Sequence, residues 1–167
     1  MRLGVVVECR RVDHPWQPWR WRAIGVLVEP PETASWRVLV KDEHFTQYHA
    51  ANLELALFRD ETDHYKYNLS SDRPQLYVVM RETGADDFPW RPVRLSASPW
   101  EGQAFEELAE DRVDAVAMPP VVIGWVKEFV DRFHVERPFY KRKRKGRDAK
   151  PGEGSTFVPL GGGEGEG

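Results

Sequence analysis

Apolar and polar residues alternate with a period of two along several short stretches of the chain, and that pattern predicts strands. In a strand over residues 3–12, Val5, Val7 and Cys9 share one face, with Val6 and Glu8 on the other. Further strands are expected over 21–28, over 36–41 with Trp36, Val38 and Val40 on one face, and over 45–49. A corner at Ala50, Ala51 and Asn52 then leads into a fifth strand, in which Leu53, Leu55 and Leu57 alternate with Glu54, Ala56 and Phe58. The run QLYVVMR at 75–81 is apolar almost throughout, which predicts burial on both faces, and a last strand covers 93–97. Short strands with short connections imply antiparallel pairing.

Three stretches carry helix signals. Asp60 followed by Asp63 suits the free amides and positive end of a helix that stops near Leu69, with Tyr65 and Leu69 one turn apart and facing the core. Ser98, Pro99 and Glu101 make a capping box with proline at the first helical position, so a helix runs from Pro99 to about Ala109; Trp100, Ala104 and Leu108 recur along it. Residues 110–118 are acidic and irregular, with a brief extended piece at 113–116. The longest stripe, Val122, Val126, Phe129, Val130 and Phe133, predicts a helix from Pro119 or Pro120 to about His134 that covers a sheet.

The fold class this implies is α+β, a curved or partly closed antiparallel sheet of about seven strands capped by the C-terminal helix. By fold analogy alone, the same order suits a pleckstrin-homology-like barrel. A chain of 167 residues, 41% hydrophobic, supports one core, so residues 1–140 are expected to form a single domain. Residues 141–167, basic and then rich in Gly and Glu, hold too little apolar surface to offset chain entropy and are expected to be a disordered tail. Phe157, Val158 and Leu160 form a small apolar island within it.

Charge is unevenly placed. Residues 138–150 hold seven Lys or Arg and one Asp, a net of +6; residues 1–137 hold 17 bases against 23 acids, a net of -6. Cys9 is the only cysteine, which excludes an internal disulfide and a thiolate-rich metal site within one chain. The apolar run near the start is short and broken by Glu8, unlike a secretory signal, and no segment approaches the roughly 20 apolar residues that span a bilayer. A cytoplasmic protein without membrane partners is expected.

Candidate chemistry is sparse. His44 and His49 would point to opposite faces of a strand, and His64 with Asp60 reads as a charged helix face, so no metal site is expected. No glycine-rich phosphate loop lies in the ordered region, and Ser98 lacks the flanking glycines of a nucleophile elbow. The acidic cluster of Glu106, Glu107, Glu110 and Asp111 reads as a solvated surface. No catalytic residue and no cofactor follow from these patterns. The stretch DHPWQPWRW is more informative, because Trp16, Trp19 and Arg20 have the residue types that concentrate at binding hot spots; the other reading is that the indoles, with Trp21, close one end of the core. The basic run Lys141, Arg142, Lys143, Arg144 and Lys145 could hold an acidic partner or phosphates, although few aromatics accompany it and the acidic body would repel a nucleic acid.

As a set, GVVVECRRVDHPW, FTQYHAANLELALFRDETDHYKYNLS, YVVMR, SASPWEG and AMPPVVIGWVKEFVDRFHVERPFYKRKRK resemble an uncharacterised proteobacterial domain family across about residues 3–145. Members tend to be encoded beside molybdenum-dependent formate dehydrogenase and its maturation factors, and some carry a label of molybdopterin-guanine dinucleotide biosynthesis. A nucleotidyltransferase of that kind needs a glycine-rich loop near its N-terminus, where this chain has Val and Glu. The resemblance therefore implies a non-catalytic bacterial accessory protein that binds a molybdoenzyme or its maturation factors; Trp16, Trp19, Arg20 and the basic run are the contacts that residue type and charge suggest for it. The alternatives are an enzyme or carrier acting on the molybdenum cofactor and a nucleic-acid-binding module.

Overall fold

The computed structural model of the chain describes residues 1–32, 35–106 and 111–137, and Met1–Val135 make up one compact unit. Its elements are β1 (Arg2–Arg11), β2 (Trp19–Val28), β3 (Arg37–Lys41), β4 (Phe45–Glu54), a short 3-10 turn (Arg59–Glu61), α1 (Thr62–Leu69), β5 (Gln75–Glu82), β6 (Trp90–Ser96), α2 (Pro99–Glu106), β7 (Asp111–Ala117) and α3 (Pro120–Phe133). The class is α+β with antiparallel pairing throughout, as the pattern predicts. The single sheet of seven strands is not what forms. β2-β1-β4-β3 make one open sheet and β6-β5-β7 a second, adjoining where β2 lies beside β7 and β4 beside β6. Neither closes into a barrel, and the larger sheet is not a simple meander, since β1 lies between β2 and β4.

Two expected strands are one as far as Glu54, and residues 55–58, expected to continue the fifth, lie outside any strand. β4 continues through Ala50, Ala51 and Asn52, because the extra residue is taken up as a bulge opposite Val5 and Val6 and pairing with β1 resumes beyond it. A bulge bends a strand without ending it, which a linear pattern of small residues cannot distinguish from a corner. The leucine alternation itself is real: Leu53, Leu55 and Leu57 pack into the core while Glu54, Ala56 and Phe58 are exposed.

β1 is the middle of the larger sheet's core face, with Leu3, Val5 and Val7 fully buried. The connection from β2 to β3 must pass β1 and β4. On the way Pro30 packs so close to Gly4 that a Cβ at that glycine would lie 2.9 Å from the proline and 2.8 Å from His49 Nε2. In the smaller sheet Leu76, Val78 and Met80 of β5 enter the common core and Val79 is buried behind them, which is the two-sided burial expected of QLYVVMR. α2 lies against β5, and at Gly102 a Cβ would meet the Tyr77 ring at 2.9 Å.

α1 starts without the expected Asp60 cap. A 3-10 turn precedes it, no side chain caps it, and the local ties are Thr62 Oγ1 donating to the Arg59 carbonyl and Tyr65 donating to Glu61 at 2.6 Å while accepting the Phe58 amide. Buried Asn68 then fastens the helix to the smaller sheet. Its Nδ2 donates to the carbonyls of Gln75 and Ala97, and its Oδ1 accepts the Gln75 amide. The capping box of α2 closes through a third residue: Ser98 Oγ accepts the Glu101 amide, but Ser96 Oγ both accepts the Ser98 amide and donates to Glu101. Trp100 and Ala104 are exposed and the buried position is Gly102, so the four-residue recurrence is not the packed face; Leu108 lies outside the described residues. The acidic stretch after α2 is a full strand, β7. In α3, Val122, Val126 and Val130 are buried in the core while Phe129 and Phe133 are partly exposed, and the helix lies mainly along α1. The expected tail, 141–167, lies outside the described residues, among which no helix is long and apolar enough to cross a membrane.

Candidate partner-binding site

The hairpin loop Val12–Pro18 joins β1 to β2, and its two prolines leave it dependent on side-chain bracing. Val12 donates its amide to the Pro18 carbonyl at 2.8 Å, which pins the ends of the loop together. Inside it the His14 Nδ1 accepts the amides of Trp16 and Gln17 at 3.3 and 3.1 Å, and the imidazole holds the turn. The indoles this loop presents divide sharply. Trp16 is 85% exposed and Trp19 50%. Trp21, two residues on, instead packs in a cluster with Trp36, Tyr48 and Phe88: it stacks on Tyr48 at 6.0 Å, and Trp36 stacks on Phe88 at 4.3 Å. The packing reading of the tryptophans holds for Trp21, whereas Trp16 and Trp19 do not pack in the core.

Trp16, Trp19 and Arg20 line one side of an open groove of about 870 Å³. Its other side comes from the loop between β5 and β6, through Asp86 and Pro89, and from Trp90 at the start of β6 and Arg112 of β7. Arg112 is the best-fixed group there. Its Nη2 donates to the Trp21 carbonyl at 2.6 Å and to Asp114 at 3.2 Å, its guanidinium lies 4.4 Å over the Trp90 ring, and its buried Nε has no hydrogen-bond partner. A second open groove of about 700 Å³ borders the same loop, lined by Arg10, Arg11, His14 and His44 among others.

The structure thus brings together Trp16, Trp19 and Arg20 of the expected binding residues; Lys141, Arg142, Lys143, Arg144 and Lys145 lie outside the described residues. Sequence reasoning missed Trp90 and Arg112. The signal for Arg112 was the alternation in DRVDAVA, which puts Arg112 and Asp114 on one face once 111–117 is recognised as a strand.

Elsewhere several polar groups have structural partners, although the buried His49 Nδ1 has none. Ser98 is fully buried, with His64 Nδ1 3.1 Å from its hydroxyl and the His64 ring stacked 4.7 Å from Trp100. Asp111 is paired with Arg81, whose hydrogen bonds hold its carboxyl below the usual range. Glu8 is held low in the same way by Arg10. Burial pushes the Cys9 thiol up. Among the described residues no group of three or more His, Cys, Asp or Glu side chains could hold a metal ion.

A family model described as protein of unknown function, DUF3305, matches residues 2–144. The chain belongs to the DUF3305 family. That DUF3305 match takes in both grooves and reaches into the basic run, stopping at Arg144. No curated protein and no solved structure matches the chain.

Proposed function

We propose that this protein is a non-catalytic accessory protein that works by binding another protein, with the Trp16, Trp19 and Arg20 rim as the contact. The observation that carries this reading is the exposure of two large indoles on a braced loop, beside Arg20 and the fixed guanidinium of Arg112. Exposed aromatic rings held in place lose little entropy on binding, and Trp and Arg dominate interface energetics. The resemblance of the sequence directs the choice of partner to a molybdenum-dependent oxidoreductase of the formate dehydrogenase type, or one of its maturation factors, in a bacterial cytoplasm. On this reading the basic run at 141–145 raises the rate of encounter with an acidic partner surface.

The test is affinity purification of the tagged full chain from its host, with mass spectrometry of proteins and of small molecules. A molybdoenzyme or maturation factor should accompany the native chain and be lost with Trp16→Ala/Trp19→Ala. Recovery of that partner undiminished by the double substitution sinks the assignment of the rim, and a pterin bound to the chain without any protein partner supports the cofactor alternative instead.

A further inference from the structure

The chain order hides a concentration of arginine that the larger sheet assembles on one face. Leu3, Val5 and Val7 of β1 point into the core, so Glu8 and Arg10 belong to the opposite face by strand alternation. In register across β2, Arg22 stands opposite Glu8 and Arg20 opposite Arg10; across β4, Gln47 and Phe45 stand beside them. Contacts confirm the shared face: Arg10 donates to Glu8 at 2.7 and 3.2 Å and lies 4.7 Å over the Phe45 ring, and Gln47 donates to Glu8 at 3.0 Å. Glu8 is thereby fully engaged. Arg20 and Arg22 are exposed and have no hydrogen-bonded or ion-paired partner among the described residues. Two arginines directly opposite each other on neighbouring strands repel; Glu8 lies near enough to act on both Arg10 and Arg20, but of the two only Arg10 is hydrogen-bonded to it. By strand alternation Arg2, Arg10, Arg20, Arg22 and Arg37 share this face with Glu8 and Glu54, a net of +3, within a body of net -6.

We propose that this arginine face binds a short carboxylate-rich segment of a protein partner, with Arg20 and Arg22 as the forks that engage it and Arg10, already held by Glu8, as a fixed charge beside them. The inference rests on the adaptor reading above and specifies the partner's chemistry. Planar guanidinium groups pair with carboxylates through two parallel hydrogen bonds, which rewards a target with carboxylates at strand-like spacing. The extent of the face sets the length of the target: neighbouring strands lie about 4.8 Å apart, so Arg20 and Arg22 of β2 and Arg10 of β1 offer basic surface about one strand spacing wide, bordered by Gln47 and Phe45 of β4. Beyond it come acids, Asp42 and Glu43 at the turn before Phe45 and Glu54 at the far end of β4. A long polyanion such as RNA would run over that rim, whereas a segment with two or three carboxylates stays inside it. Arg20 also lines the tryptophan groove, so one segment can place carboxylates on the sheet and an apolar side chain against Trp19.

The experiment uses the full chain and three probes of equal length class: a fluorescent twelve-residue peptide with three Glu and two Leu, its Gln counterpart, and a single-stranded twelve-nucleotide RNA. Arg20→Gln/Arg22→Gln is compared with Arg73→Gln/Arg91→Gln, exposed arginines elsewhere that remove the same charge. The Glu peptide should bind the native chain, bind the Arg20/Arg22 variant about tenfold more weakly, and bind the Arg73/Arg91 variant within about twofold of native, as expected for the loss of local charge-assisted bonds rather than of net charge. Thermal midpoints should be unchanged or higher in the Arg20/Arg22 variant. A difference between the two variants of less than about threefold, equal binding of the Gln peptide, or no binding of the Glu peptide overturns the proposal, as does RNA binding tighter than peptide binding and lost with Arg20→Gln/Arg22→Gln. A native partner that is lost with Trp16→Ala/Trp19→Ala but retained with Arg20→Gln/Arg22→Gln removes this inference and leaves the adaptor reading standing.

Discussion

The carboxylate of Asp114 accepts the backbone amide of Ala23 at 2.8 Å, from a residue 91 positions away in the chain. With Arg112 donating to the carbonyl of Trp21, two side chains of β7 supply the donor and acceptor that a neighbouring strand would have given to the edge of β2. The two sheets are joined there by side chains in place of a ladder, and the same arginine lines the tryptophan groove. Asp114→Ala leaves the Ala23 amide unpaired in a buried place and deprives Arg112 of its counter-charge. The expected loss is about 2–4 kcal/mol by denaturant unfolding, with a weaker partner interaction as a consequence.

The tryptophans should separate cleanly in thermal and chemical melts. Trp16→Ala is expected to change stability by less than about 0.5 kcal/mol, as for other exposed sites without special contacts. Trp21→Ala removes the ring that bridges Tyr48 and Trp36 and should cost about 3–5 kcal/mol. Comparable losses at the two positions would return Trp16 to a packing role.

Asn68 offers a test of how α1 is held. Replacing it by Ala removes three hydrogen bonds and leaves two carbonyls and an amide near the ends of β5 and β6 without their partner. A loss of about 2–4 kcal/mol is expected. Hydrogen exchange should show it first in α1 and at Gln75, because those amides depend directly on the link.

The pH dependence has two arms with opposite signs. Glu8 and Asp111 are both held below their ordinary values by arginines, so the unfolded chain binds more protons than the folded one in the acid range. Their contribution is present above the unfolded carboxylate pKa, about 4.3 for Glu and 3.9 for Asp, and is lost as pH falls through the lowered folded values. Glu8→Gln/Asp111→Asn should flatten the decline of stability measured from pH 5 downward. Tyr65 behaves inversely: burial and the hydrogen bond to Glu61 push its phenol up, so the folded state keeps a proton the unfolded state releases. Stability should fall as pH rises above about 10, less steeply for Tyr65→Phe in a urea titration at alkaline pH. An unchanged slope in either variant contradicts the corresponding assignment.

The sequence by itself determined which residues could be strands and helices and which of their faces were apolar, because those depend on neighbours two to four positions apart. The stripe of α3, the alternation of Leu53, Leu55 and Leu57, and the burial of β5 were all legible in that way. The continuity of β4 was not, since a bulge at Ala50 and a corner at Ala50 have the same local text and only pairing with β1 decides between them. The same holds for the candidate site. Trp16, Trp19 and Arg20 stood out as a cluster within five residues, but Trp90 and Arg112 reach the groove from strands more than sixty residues away, and Arg20 meets Arg10 only through the register of β1 with β2. A net charge of -6 over residues 1–137 concealed a basic sheet face because charge sums ignore direction, whereas strand alternation sends every second side chain to the same side.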